Sequence, residues 1–236
     1  MLLKWPKVTV VVSTYKRPEL LGRFLESVLA QTLTDFEVIV VDDGGGDAKG
    51  AVEPFVERFA AQGQSCYLIA MQENSGYQSV PKNYGIAHAR GSYVAQADDD
   101  DVWYPHHLET LVGVLEAGGA DVAYGSWDFG GSREGESWEY IPFNPITARL
   151  ILAGPQTNFV SCHTVWSKGA VCGALGPKPW NEDMRRFGDW ELYARCVQAG
   201  LRFKGTSEAT YCYDWHGENL QLTRPANEST HGTRPA

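Results

Sequence analysis

The first hundred residues alternate short apolar runs with stretches in which apolar residues recur every third or fourth position. Val8 to Ser13 is a β-branched run, short and bounded by polar residues, which predicts a strand buried on both faces. Pro18 sits where a first helical turn tolerates proline, and Leu20, Leu21, Phe24, Leu25, Val28 and Leu29 follow at helical spacing. That pattern predicts an amphipathic helix to about Gln31. Phe36 to Val41 predicts a second buried strand, residues 48–62 a second helix, and Tyr67 to Ala70 a third strand. Pro81 to Ala89 reads as a short helix and Ser92 to Ala97 as a fourth strand. Strands separated by helices of this length are crossover units, so the fold class is α/β. A mostly parallel, Rossmann-like central sheet is expected, with helices on its faces.

Beyond Pro105 the pattern loosens. Leu108, Leu111, Val112 and Leu115 predict a helix, and a strand is expected near Asp121 to Trp127. Residues 128–155 mix aromatics with glycine and polar residues, and Phe159 to Trp166 reads as extended. Asp189 to Ala199 predicts a helix with Leu192, Tyr193, Cys196 and Val197 inward. No repeat or long linker interrupts the chain. One domain over 1–226 is expected, with a regular half at about 8–101, a less regular half at about 102–226 and a flexible tail at 227–236.

Composition narrows the function. The 236 residues are 43% hydrophobic and 12% aromatic, too rich for a disordered chain. The 29 acidic against 20 basic residues give a net charge of −9, which argues against nucleic acid as a partner. No apolar run approaches the ~20 residues needed to cross a bilayer, and residues 1–7 have no signal-peptide core, so a cytoplasmic location is expected. Five widely spaced cysteines with no C-x-x-C pair predict buried thiols rather than a zinc knuckle or disulfides.

Two acidic clusters stand out. Asp42-Asp43 follows the second predicted strand, and Asp98-Asp99-Asp100-Asp101 follows the fourth. In open α/β sheets that edge binds ligands. Consecutive carboxylates repel and raise one another's pKa, and a hard divalent cation relieves the conflict. The plainer alternative is a solvated loop whose last Asp caps the next helix. There is no P-loop and no G-x-G-x-x-G. Gly44-Gly45-Gly46 has no lysine to cradle phosphate, so a phosphate bound here would depend on a metal.

The ordered motifs resemble family 2 glycosyltransferases. They are Val8 to Pro18, Val38 to Gly44, Asn74-Ser75-Gly76, Pro81 to Gly85, Ala97 to Pro105 and Gly188-Asp189-Trp190-Glu191-Leu192, and the resemblance covers about residues 8–224. It implies a GT-A fold whose front half binds a nucleotide-sugar and whose back half binds the acceptor. It implies inverting transfer of a sugar to a hydroxyl of a saccharide or lipid-linked saccharide in surface glycan assembly, with peripheral membrane contact. By the same resemblance Asp43, with Asp42 beside it, accepts a hydrogen bond from the donor base, favouring UDP- or dTDP-sugars. Ser13 and Tyr15 line the base, and Lys82 matches a donor-site contact. Asp98-x-Asp100 matches the family's D-x-D. Asp100 would ligate Mn or Mg, Asp98 would hold the ribose or a metal-bound water and so share the metal site, and Asp99, which departs from the small residue often found between them, counts with the donor-binding residues.

His216 resembles a late histidine that approaches the metal, whereas His106 and His107 belong to the helix after Pro105. Asp189 matches the general base, with Glu191 as runner-up, and Gly188 stands where the family more often has Glu. Trp127, Trp138, Trp166, Trp180, Trp190 and Trp215 would supply a stacking platform for an acceptor sugar, or simply core. The rival readings are a sugar nucleotidylyltransferase and a catalytically silent nucleotide-sugar-binding subunit. The first expects a glycine-rich basic loop after the first strand, which is missing here.

Overall fold

A computed structural model describes residues 5–215. In chain order its front half runs β1 (Val8–Thr14), α1 (Pro18–Leu29), β2 (Phe36–Asp42), α2 (Ala48–Ala61), β3 (Ser65–Ala70), α3 (Ser79–His88) and β4 (Tyr93–Asp98). The back half runs β5 (Val102–Trp103), α4 (His107–Glu116), β6 (Val122–Gly131), α5 (Ala148–Ala153), β7 (Thr164–Ser167), α6 (Lys168–Leu175), α7 (Gly188–Gln198) and β8 (Phe203–Trp215). One eight-stranded sheet has the order β3-β2-β1-β4-β7-β6-β8-β5. The first four strands are parallel, β7 is antiparallel to both β4 and β6, and β8 runs parallel to β6.

The valines of β1 explain the layering. Successive side chains on a strand point to opposite faces. Val8, Val10 and Val12 pack with Leu21, Phe24, Val52 and Leu111 of α1, α2 and α4, whereas Val11 packs with Ile86 and Leu192 of α3 and α7. A central strand covered on both sides has no solvent face, so it shows no apolar–polar alternation.

The front half follows the sequence pattern closely. The back half departs from it in three places. Phe203–Trp215, for which no element is expected, form β8, a long strand whose pairing with β6 slips around Ser126. The slip breaks the two-residue period that betrays a strand. Lys168–Leu175 forms α6, whose two glycines hide its helical character and whose start is fixed by the Ser167 hydroxyl accepting from the Ala170 N–H. Of Phe159 to Trp166, Thr164 to Trp166 belong to strand. Among the described residues no helix is long and apolar enough to cross a membrane. The expected tail at 227–236 lies outside the described residues.

Candidate active site

Strand order reverses at β1, with β2 on one side and β4 on the other, so loops diverge there and leave a crevice. Ser13 at the end of β1 is in register with both Val41 and Asp98. A cleft of about 790 Å³ opens over this point. Its front-half wall includes Ser13, Tyr15, Asp43 and Asp98 to Asp100, and its back-half wall includes Ser161, Cys162, Arg185 and Asp189.

Asp43 is buried and held by three donors. The Ser75 N–H reaches one oxygen at 2.9 Å, while the Ser75 hydroxyl and the Asn74 amide reach the other at 2.9 and 3.0 Å. Burial raises its pKa, against the pull of the Ser75 contacts. Gly44 makes this clasp possible. It adopts φ +77°, and a Cβ there would lie 2.5 Å from the Asn74 nitrogen, so only glycine lets residues 73–75 close on Asp43. Asp42 does not face the cleft. Its oxygens accept from the Gly45 and Gly46 N–H groups at 2.7 and 2.9 Å and shape the tight loop instead.

The four consecutive aspartates fan out to separate partners. Asp98 accepts from Lys82 Nζ at 2.6 Å and from the Cys162 thiol at 2.9 Å. Burial would raise the Asp98 carboxyl, but Lys82, His163 and the thiol outweigh it and hold it well below the usual range. Asp99 accepts from the Thr14 hydroxyl at 2.6 Å, and burial together with the Asp100 charge pushes it up to about 7. Asp100 pairs with Arg17 at 3.0 Å. Asp101 is fully enclosed, accepting from the Asp214 N–H at 2.8 Å and from His163 Nε2 at 2.6 Å. The repulsion inferred from sequence is therefore relieved largely by protein groups. Lys82 is buried beneath the cleft floor, against Asp98 and 4.6 Å from the centre of the Trp180 ring. It supports the floor without reaching the cleft surface.

Asp98, Cys162 and His163 place potential ligand atoms within 4.8 Å of one another. His163 is nevertheless committed. Trp103 Nε1 can only donate, so His163 Nδ1 accepts it at 2.8 Å, and Nε2 carries the proton that binds Asp101. Asp98 and Asp100 both line the cleft, and a hard cation takes carboxylate oxygens, phosphate and water in preference to a thiol and a committed imidazole. His216 lies outside the described residues. His107 opens α4 and stacks on Trp103 at 4.1 Å, and His106 precedes it, both away from the cleft.

Asp189 enters from the start of α7. The loop before it is tied down by Asn83, which accepts from the Trp180 N–H at 3.0 Å and donates to its carbonyl at 2.8 Å. The Trp180 indole donates to Gln96 at 2.7 Å. Phe187, at φ 57°, turns the chain into the helix. Gly188 then packs where a Cβ would stand 3.1 Å from the Trp180 ring, so that ring fills the place where a Glu side chain would begin. Burial raises the Asp189 pKa, with the Trp190 N–H opposing it and the Asp98 charge adding to it. Glu191 faces elsewhere, bound to Arg195 at 2.7 Å and to Asn181. Asn83→Ala should cost ~2–4 kcal/mol, since it leaves the buried N–H and C=O of Trp180 unpaired. Urea unfolding measures this, and a cost below ~1 kcal/mol would contradict the anchoring role.

Four residues that sequence reasoning gave no role also line the cleft: Arg17, Arg133, Arg185 and Arg186. The last three sit singly or paired in irregular segments, where no periodic signal marks them. Of the tryptophans, Trp166 and Trp180 are core, while Trp127, Trp138, Trp190 and Trp215 line the cleft. Trp127 stacks with both Trp138, at 4.8 Å, and Tyr211, at 5.7 Å, so its ring faces serve its neighbours.

The sheet, its switch point and the acidic cleft define a GT-A fold. A profile described as Glycosyl transferase family 2 matches residues 9–172, more than half of the chain. The chain belongs to glycosyltransferase family 2. It is 33% identical over 150 residues to the uncharacterized glycosyltransferase YibD of Escherichia coli (strain K12), covering 64% of this chain and 42% of that protein. The chain spans 33–43% of the length of the first curated relatives it matches. Two solved structures share the fold. S. aureus TarS 1-349 in complex with UDP-GlcNAc superposes with a TM-score of 0.74 at 19% identity, covering 93% of this chain and 61% of that one. The mannosyltransferase PcManGT from Pyrobaculum calidifontis, in complex with GDP-Man and Mn2+, gives 0.69 at 19% identity, covering 93% and 60%.

Proposed function

We propose that this chain transfers a sugar from a UDP- or dTDP-linked donor to a hydroxyl of a saccharide or lipid-linked saccharide, with inversion, from the cytoplasmic side of the membrane. The observation that carries the reading is the placement of Asp189 beside Asp98 in one cleft, close enough for the Asp98 and Lys82 charges to act on it. Asp43, Ser13 and Tyr15 bind the nucleoside end. Asp98 and Asp100 hold a divalent Mn or Mg, which when bound supplies positive charge to the leaving diphosphate. Asp189 removes the acceptor hydroxyl proton as that oxygen attacks the anomeric carbon, and burial, by raising its pKa, makes the carboxylate a stronger base. TarS in complex with UDP-GlcNAc and PcManGT in complex with GDP-Man and Mn2+ support a nucleotide-sugar donor and the metal by likeness of fold, and the choice of UDP or dTDP rests on Asp43.

The test is release of nucleoside diphosphate from a panel of UDP-, dTDP- and GDP-sugars with Mn2+ and saccharide acceptors. Turnover of one donor class is expected. Release of pyrophosphate from a nucleoside triphosphate and a sugar phosphate would favour the nucleotidylyltransferase reading. Donor-dependent thermal shifts without turnover on any acceptor would favour a silent binding subunit.

A further inference from the structure

Arg185 stands on the loop between α6 and α7, four positions before Asp189, and lines the cleft. Its guanidinium lies 5.3 Å from the centre of the Tyr77 ring, on the opposite half of the molecule. Tyr77 continues the loop whose Asn74 and Ser75 clasp Asp43, and the Ser75 hydroxyl also contacts the Tyr77 carbonyl at 3.0 Å. Arg185 therefore reaches across the cleft to the loop that clasps Asp43, and both Asp43 and Asp189 line the same cleft. Its surroundings are unusual for a cation in an acidic cleft. Arg17 pairs with Asp99 and Asp100, and Arg133 with Glu136. Among the described residues no carboxylate pairs with Arg185, and its Nε is buried with no hydrogen-bond partner. A guanidinium is weakly hydrated, stacks on aromatic faces and offers a fork of donors that matches phosphate oxygens. Stacking on Tyr77 orients the fork, and the missing partner is an anion.

We propose that Arg185 binds the diphosphate of the nucleotide-sugar donor from the acceptor side and holds the nucleoside diphosphate as it departs. This rests on the glycosyltransferase reading above. It assigns to a residue outside the acidic motifs part of the charge neutralisation otherwise left to the metal. As the bond from the anomeric carbon to the diphosphate oxygen breaks, its electron pair stays on that oxygen, and a guanidinium there stabilises the charge. An arginine on the loop that leads into α7, whose first turn carries Asp189, links the two ends of the reaction through one segment that Asn83 anchors at Trp180.

Calorimetric titration of the wild type, Arg185→Ala and Arg185→Lys with UDP, dTDP, uridine and thymidine, all with Mn2+, tests this. Arg185→Ala should weaken binding of the preferred diphosphate by roughly 10- to 100-fold, leave the nucleoside unchanged and leave Tm unchanged. Arg185→Lys should fall between, because it keeps the charge and loses the fork. Tyr77→Leu should reproduce part of the loss by releasing the guanidinium. Equal diphosphate affinity in wild type and Arg185→Ala would overturn the proposal, as would equal losses for diphosphate and nucleoside. A change confined to the KM of the acceptor would also overturn it, by placing Arg185 on an acceptor anion. A wild type that binds none of these diphosphates would overturn the glycosyltransferase reading itself, and this inference with it.

Discussion

Asp189→Asn is expected to lower kcat by ~10²- to 10⁴-fold while leaving donor affinity nearly unchanged, as removal of a positioned general base does. The substitution is isosteric, so the Trp180 anchor and the start of α7 should survive it. Burial and the Asp98 charge raise the Asp189 pKa, and a base works only when deprotonated. Wild-type activity should therefore fall as pH drops through a value above the ordinary carboxylate range, and that acidic limb should vanish in the variant. The pH profile of kcat/KM measures it. Glu191→Gln is the control. Because Glu191 is bound to Arg195 and Asn181 away from the cleft, its loss should change the rate by less than ~10-fold. An unimpaired Asp189→Asn would sink the mechanism.

The second large effect concerns the metal. Chelation with EDTA, or Asp100→Asn, is expected to lower turnover by ~100-fold or more, because a divalent ion supplies several kcal/mol of charge stabilisation to a leaving diphosphate. Donor binding should fall less. From the acidic sequence alone, affinity without metal should collapse, since a diphosphate would meet only carboxylates. The folded cleft contains four arginines beside five carboxylates. One of the five, Asp99, is pushed up to about 7 and carries less than a full charge near neutrality. Titration of UDP with and without Mn2+, set beside turnover under the same conditions, separates the two effects. Equal turnover in EDTA and Mn2+ would exclude the metal role.

These two expectations divide along the line between local and non-local information. The elements of the front half were legible because each is coded over six to fourteen neighbouring residues. The valines of β1 are one such code, the 3–4 spacing of α1 another, and the strand-end positions of Asp43 and Asp98 follow from the same pattern. The ordered motifs then carried the family, and the family carried Asp189. The roles of Asp42 and Lys82 could not be read this way. Whether a carboxylate faces a ligand or its own loop depends on Gly45 and Gly46 turning back on Asp42, and on where the end of β4 meets α3.

Period and motif order are properties of neighbours along the chain, and they suffice to mark an α/β chain of family 2 with an acidic edge. Tertiary structure decided what that acidity does. Thr14, Arg17, Lys82, Cys162 and His163 come from distant elements to take up the four aspartates one by one, and Trp180 and Asn83 bring Asp189 over them. Arg185 reaches the cleft by the same route. Electrostatic pairing depends on distance in space, and only the folded sheet brings these groups within hydrogen-bonding range.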